Sequence, residues 1–394
     1  MSLLNERQKM LAVACAVIFI DMIGYGIIIP ILPVYAGNLG ASEGQIGFLF
    51  SSYSLVLVLT LLPFGLMVDK YGKKHLIVVG MFLLGISSIL FATSHSLPQL
   101  TVSRMLQGLS ASCTWAAALP LAAAAASEGK RGIEMSSVTI ATGLGTILGP
   151  VIGGLGTIQT PFYICIAFSF LLCFLSLIYL KETPYKKEYF DLKEKLKRIL
   201  KQSEVQAACI AIGFLYFALG MLEVLFPLYM AGCQYKRITV GLLFGIFGIF
   251  FVVVQPIIGA WSDRIGRAFP MILGLSITAV IIPVPFYFIT MIPWVLLFII
   301  MGISTAMVFT PTYPLIADGV DLSDQGVAYG LNSWVFSIGY LFGPWLGGVL
   351  TESAGIKTPF FLCSAILAMG ALSIWIAGKR IKEPDPGTSE PRPT

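Results

Sequence analysis

Three charged side chains stand where the sequence offers them least water. Asp21 lies in an apolar run, about 12 residues past Lys9 and so, at 1.5 Å per helical residue, roughly 18 Å deep. Glu223 lies about 19 residues past Glu204, roughly 28 Å along its own run. Arg104 stands in a third run, 98–126. A carboxylate at such depth costs on the order of 3 kcal/mol or more to insert, so it is expected to face inward and to work. The chemistry open to it is exchange of a proton for a cation. A carboxyl group in a poorly hydrated cavity can hold a proton near neutral pH, and a bound organic cation competes for the same oxygens. Asp21 is expected as the cation partner and Glu223 as the proton site, with reversed or shared roles left open. The plainer use of either acid is to bond a neighbouring helix. Arg104 is either a third coupling group or a packing cation near the outer end of its helix.

Helical spacing proposes the company these groups keep. Gly24, Tyr25 and Ile28 follow Asp21 on one face, Gln107, Ala111 and Trp115 follow Arg104, and Tyr216, Leu219, Gly220, Phe226 and Met230 flank Glu223. Tyr25, Gln107, Trp115 and Phe226 are therefore expected against substrate, with Tyr313, Asn332 and Phe336 from later runs. Aromatic faces suit flat, lipophilic cations. The ordinary use of such rings is contact with lipid or other helices.

The elements that must position these residues are membrane helices. The chain is 57% hydrophobic and 11% charged, with mean hydropathy +0.88, more apolar surface than a soluble domain can hide. Runs of about 20 residues, enough to span a bilayer, fall near 11–35, 43–66, 76–94, 98–126, 132–157, 161–180, 205–231, 238–260, 269–290, 293–317, 325–350 and 358–378. They are continuous, not alternating, which excludes a strand barrel. Arg7, Lys9, Lys70, Lys73, Lys74, Lys130, Arg131, Arg264, Arg267, Lys379, Arg380 and Lys382 fall on one side, with the basic stretch from Lys181 to Lys201. Lys236, Arg237 and Lys357 fall on the other. Both termini and the central linker are thus expected in the cytoplasm. The net charge of +5 is this bias, not a nucleic-acid signal. No cleavage site follows the first span. Six of the seven cysteines lie inside spans without metal spacing, and the two histidines, His75 and His95, lie outside them. No enzyme motif is present, so no cofactor or metal is expected and a proton gradient is the expected energy source.

Four landmarks recur at one offset of 194 positions. Pro33 answers to Pro227, Asp69 to Asp263, Pro150 to Pro344, and Gly153/Gly154 to Gly347/Gly348. A constant offset through irregular Gly/Pro sites means two copies of one unit packed together, and duplicated membrane halves enclose a site that rocking opens to either side. The expected fold is an all-α membrane protein of 12 transmembrane helices in two pseudo-symmetric six-helix bundles. Its expected divisions are 1–180 and 204–380, a cytoplasmic linker 181–203, and a disordered tail 381–394. In the linker, Leu192, Leu196, Ile199 and Leu200 share a helical face among basic residues, which suits an amphipathic helix on the anionic inner leaflet or a solvated tether.

Gly65-Leu-Met-Val-Asp69-Lys70-Tyr-Gly72-Lys73-Lys74, with its second occurrence from Gly259 to Arg267, resembles the signature loop of the major facilitator superfamily. With the spans and the duplication, that resemblance covers nearly the whole chain. Gly145-x-x-x-Gly149-Pro150-x-x-Gly153-Gly154 resembles the antiporter motif of proton-driven exporters, and Arg104-x-x-Gln107-Gly108 a conserved motif whose arginine is implicated in proton coupling. Asp21 and the Gly/Pro pattern after it resemble twelve-span drug:proton antiporters, and Glu223 adds a likeness to vesicular monoamine transporters. Those transporters carry further ionised residues where this chain has Ser54, Phe309 and Ser333. The resemblance implies that spans one, four, seven and ten line a central cavity, and that Asp69, Lys70, Lys73, Lys74, Asp263, Arg264, Gly149 and Pro150 serve conformational gating. It also sets spans two and eleven side by side, so Lys70, Lys73 and Lys74 are expected to pair with Asp318, Asp321 and Asp324 when the inner side shuts. The reading is a monomeric, proton-coupled antiporter in the cytoplasmic membrane, exporting a small organic cation. A symporter, or an exporter of an anionic or neutral metabolite such as a siderophore or sugar, is the rival; an uncoupled facilitator would tolerate Asp21→Asn and Glu223→Gln.

Overall fold

The computed structural model describes residues 5–125, 131–181, 192–287 and 290–378. They are helical almost throughout. The first half holds α1 (Glu6–Gly26), α2 (Ile28–Asn38), α3 (Glu43–Tyr71), α4 (Lys73–Ala92), α5 (Leu97–Ala125), α6 (Arg131–Gly154) and α7 (Thr160–Tyr179). After the short α8 (Leu192–Ile199), the second half holds α9 (Ser203–Gly232), α10 (Arg237–Val253), α11 (Gln255–Ile265), α12 (Ala268–Ile281), α13 (Met291–Gly319), α14 (Leu322–Ala354) and α15 (Thr358–Gly378). Ten spans are long and apolar enough to cross a membrane, α1 with α2 counting as one; α10 and α11, bent by 45°, make an eleventh. The remaining expected span is occupied by α12 and a 3₁₀ turn at Val284–Tyr287. The result is a multi-pass membrane protein of two pseudo-symmetric bundles.

Local chemistry sets the ends of these helices. Asn5 with Gln8, and Ser42 with Gln45, form reciprocal capping boxes that begin α1 and α3. The first span breaks at Ile27, because Pro30 has no N–H for the carbonyl of Gly26. Gly72 and Gly266, equivalent in the repeat, take φ of +87° and +91°, and each lets a helix turn straight into the next.

The repeated Gly/Pro motifs build two equivalent seams between the halves. On α6, Gly149 lies against Gly26 of its own half, while Pro150 meets Gly241 and Gly154 meets Ile238 of α10. On α14, Gly343 lies against Phe217 of its own half, while Pro344 meets Gly47 and Gly348 meets Glu43 of α3. A Cβ on Gly348 would stand 2.3 Å from the Glu43 carbonyl oxygen, and one on Gly241 2.3 Å from that of Pro150. Only glycine permits backbones so close. Both seams lie towards the side remote from α8, here called the far side. They persist to about mid-span, where Trp334 donates to the Val58 carbonyl at 3.3 Å and Gly143 meets Val252. Nearer the linker side, Gly65, Gly326 and Gly330 have open space within 4 Å of where a Cβ would stand. Among the described residues, the close glycine contacts between the halves run from mid-span to the far side.

Helix α8 rests on protein. Ile199 is buried against the second half, and Lys195 (3.3 Å) and Arg198 both pair with Asp324 at the start of α14. Leu200, expected on the same apolar face, is exposed. Residues 182–191 of the expected linker, and the expected tail, lie outside the described residues.

Candidate coupling and substrate site

Helices α1 and α5 deliver the first acid and the arginine. Asp21 is 4% exposed, and its Oδ2 accepts a 2.9 Å hydrogen bond from the Trp115 indole. Arg104, Gln107, Ala111 and Trp115 recur at helical spacing, so they share one face of α5. Arg104 is 1% exposed; its Nη1 donates to Gln107 Oε1 at 2.6 Å, and Gln107 Nε2 donates to the Gly24 carbonyl at 2.7 Å. The guanidinium lies over Tyr53 at 4.7 Å and over Tyr25 and Phe50 at 5.5 Å, while its Nε has no partner among the described residues. Three rings thus face this buried cation.

Glu223, on α9, holds the centre. It is 9% exposed; Tyr25 of the first half donates to its Oε2 at 2.5 Å, and Tyr340 of the second half donates to its Oε1 at 2.8 Å. The first bond crosses between the bundles. Hydrogen bonds to a charged group are strong, and a buried carboxylate robbed of one is costly.

Rings continue from this carboxylate towards the linker side. Tyr340 meets Tyr216 at 5.3 Å, Tyr216 meets Phe336 at 4.2 Å and Phe309 at 6.4 Å, Phe309 meets Tyr313 at 5.7 Å, and Tyr313 meets Tyr329 at 5.4 Å. On α13, Ser304, Met307 and Val308 face Gly274 of α12. Tyr313, two and a half turns on from Ser304, therefore points away from α12; it is 37% exposed. Tyr329 lies roughly 10 Å along α14 and Tyr340 roughly 27 Å, so the rings form a staircase ending at Glu223.

The structure brings together Asp21, Tyr25, Arg104, Gln107, Trp115 and Glu223, and places Phe336 and Tyr313 on the staircase. Asn332 is buried nearby on α14, its Oδ1 without a donor among the described residues. Phe226 does not belong. It is fully buried in the second half among Trp294, Phe298 and Phe360, on the side of α9 that packs into its own bundle. Two rings that helical spacing from the acids did not single out, Tyr53 and Tyr340, touch the central groups. Tyr340 was within reach, since it lies one helical turn beyond Phe336.

Among the expected gating residues, Gly149 and Pro150 sit in the far-side seam. Asp263 pairs with Arg267, which also reaches Asp318 at 3.5 Å. Lys73 donates to the Pro120 carbonyl at 3.4 Å, Lys74 is half-buried and Arg264 is exposed. The side chains of Asp69 and Lys70 lie outside the described residues. In this form α8 supplies basic partners of Asp324, and Arg267 engages Asp318; the pairing of Lys70, Lys73 and Lys74 with the α13–α14 acids is expected for the state shut on the inner side. Among the described residues no His, Cys, Asp and Glu side chains are grouped to hold a metal ion.

Comparison with known proteins agrees with this architecture. The family described as Major Facilitator Superfamily matches residues 14–236 and again 208–394. Multidrug resistance protein 1 of Bacillus subtilis (strain 168) is 28% identical over 395 residues, covering 96% of this chain and 99% of that protein. The quinolone resistance protein NorA of Staphylococcus aureus (strain MRSA252) is 26% identical, covering 91% and 94%. Among solved structures, a bacterial homolog to the human lysosomal transporter Spinster, described as inward-facing and occupied, superposes with a TM-score of 0.84 at 12% identity, covering 96% of this chain and 98% of that one. The twofold family match follows the 194-residue repeat, and the chain belongs to the major facilitator superfamily.

Proposed function

We propose that this chain exports lipophilic organic cations, of multidrug or monoamine-like character, in exchange for protons by alternating access. The observation that carries this reading is the Glu223 carboxylate, held at the interface by one phenol from each half, with Asp21 and Arg104 close by. Relatives named for multidrug and quinolone resistance support the substrate class. With the linker side read as cytoplasmic from its basic residues, the close far-side seams support reading this as an inward-facing form. A flat cation arriving from the cytoplasm slides over Tyr329, Tyr313, Phe309 and Tyr216 by cation–π contact and reaches the carboxylates. There it displaces a proton, since one carboxylate cannot hold both. After the halves rock, a proton from the far side displaces the cation in turn. The chain acts as a monomer and needs no cofactor beyond the gradient. Arg104, faced by three rings, offsets the charge of one acid.

The test is uptake of a cationic dye into everted vesicles or proteoliposomes under an imposed pH gradient. Wild type is expected to accumulate dye only with the gradient, and Glu223→Gln to lose that dependence. Equal uptake by wild type and Glu223→Gln would sink the coupling.

A further inference from the structure

The far-side seams end in two charged contacts that the coupling chemistry does not use. At the α3–α14 seam, Glu352 Oε2 accepts 2.8 Å from Ser42 Oγ and 3.0 Å from the Gly44 amide. Ser42 caps α3 and Gly44 is its second residue, so a carboxylate of the second half closes the N-terminus of a first-half helix. At the α6–α10 seam, Arg237 Nη2 donates 2.7 Å to the carbonyl of Gly156. Gly156 follows the end of α6, and its φ of +62° is open to glycine, while Arg237 is the first residue of α10. Here a cation of the second half bonds a carbonyl two residues past the end of a first-half helix. The carboxylate meets the partial positive charge of the α3 N-terminus, and the guanidinium makes a charge-assisted hydrogen bond to a carbonyl.

The two contacts occupy equivalent ends of the repeat. Ser42 answers to Lys236, next to Arg237, and Glu352 answers to Ile158, two residues from Gly156. Each seam thus carries one ionised side chain bonded across it, and in both cases the second half supplies the charge. The glycine packing beneath is apolar and nearly symmetric, so it fixes where the halves meet. A hydrogen bond holds only within a narrow range of distance, so both contacts break with a small separation.

We propose that Glu352 and Arg237 are paired bolts of the far-side gate, which hold the transporter shut on that side and release together when it opens outward. The proposal rests on the alternating-access reading above, but its readout needs neither substrate nor proton. Spin labels at Asn38 and Gln234, exposed at the far ends of equivalent spans, report that mouth by electron–electron distance measurement in nanodiscs. Wild type is expected to show mainly the short distance. Glu352→Ala and Arg237→Ala are each expected to raise the ratio of long to short populations by roughly fivefold, and the double variant by more than either. Ser42→Ala, which removes one donor and keeps both charges, is expected to shift the ratio the same way but less, and serves if a charge variant fails to fold. Distance distributions unchanged in the folded variants would overturn the bolts. A shift in the folded variants alongside dye uptake that ignores the pH gradient would support the bolts and sink the coupling.

Discussion

Asp21 and Glu223 sit on the first span of their respective halves, both buried near the middle of the fold, yet they are bonded in opposite ways. Asp21 is held by Trp115, a residue of its own half. Glu223 is held by Tyr340 of its own half and by Tyr25 of the other. If the bundles rock as rigid bodies, Asp21 keeps its partner in every state, while Glu223 must stretch or lose the bond to Tyr25. A group whose surroundings change with conformation can tie its protonation to that change; one whose surroundings stay fixed can only bind. The contrast assigns Glu223 to coupling and Asp21 to cargo, within the reading proposed above.

Substitutions break or sharpen that contrast, in decreasing order of effect. Glu223→Gln is expected to reduce gradient-driven export by roughly 100-fold, the scale of losing a buried charge with two hydrogen bonds, and to leave gradient-independent dye exchange measurable in vesicles. Asp21→Asn is expected to weaken cation binding by roughly tenfold, read by equilibrium dye binding, with the response to pH retained. Tyr25→Phe removes the bond between halves and is expected to change the ratio of inward-open to outward-open populations by roughly fivefold, the scale of one hydrogen bond of about 1 kcal/mol, read by distance measurements. Tyr340→Phe removes a bond within one half and is expected to leave that ratio within about twofold. Equal shifts from both tyrosines would dissolve the distinction. Phe226→Leu is expected to cost about 1 kcal/mol of stability, seen as a lower thermal midpoint, with substrate selectivity unchanged.

Much of the site was legible because a membrane helix has few degrees of freedom. Asp21 to Tyr25 is one turn and Arg104 to Gln107 is three residues, so spacing alone put each set on one face. The depth of an acid also follows from residue count. Phe226 shows where this fails. A helix packed on all sides has a core face and a cavity face, both apolar, and α9 is buried almost throughout. Composition cannot tell those faces apart. The pairing of Asp324 with α8 failed to show for a related reason, since exposed lysines are plentiful and only the docked position of the linker selects among them.

The sequence by itself determined the scaffold: helices long enough for lipid, a 194-residue duplication, and Gly/Pro motifs that must pack closely because nothing larger fits. It also determined that the chemistry is not duplicated, since Asp21 answers to Leu215, Glu223 to Ile29 and Arg104 to Phe298. Only the tertiary structure decided that Tyr25 reaches Glu223 from the opposite half and that the seams close on the far side. Spacing along one helix is fixed by covalent geometry. Which helix faces which, and in which of two packings, depends on surfaces brought together from positions up to 310 residues apart, as Ser42 and Glu352 are, and no local pattern encodes that choice.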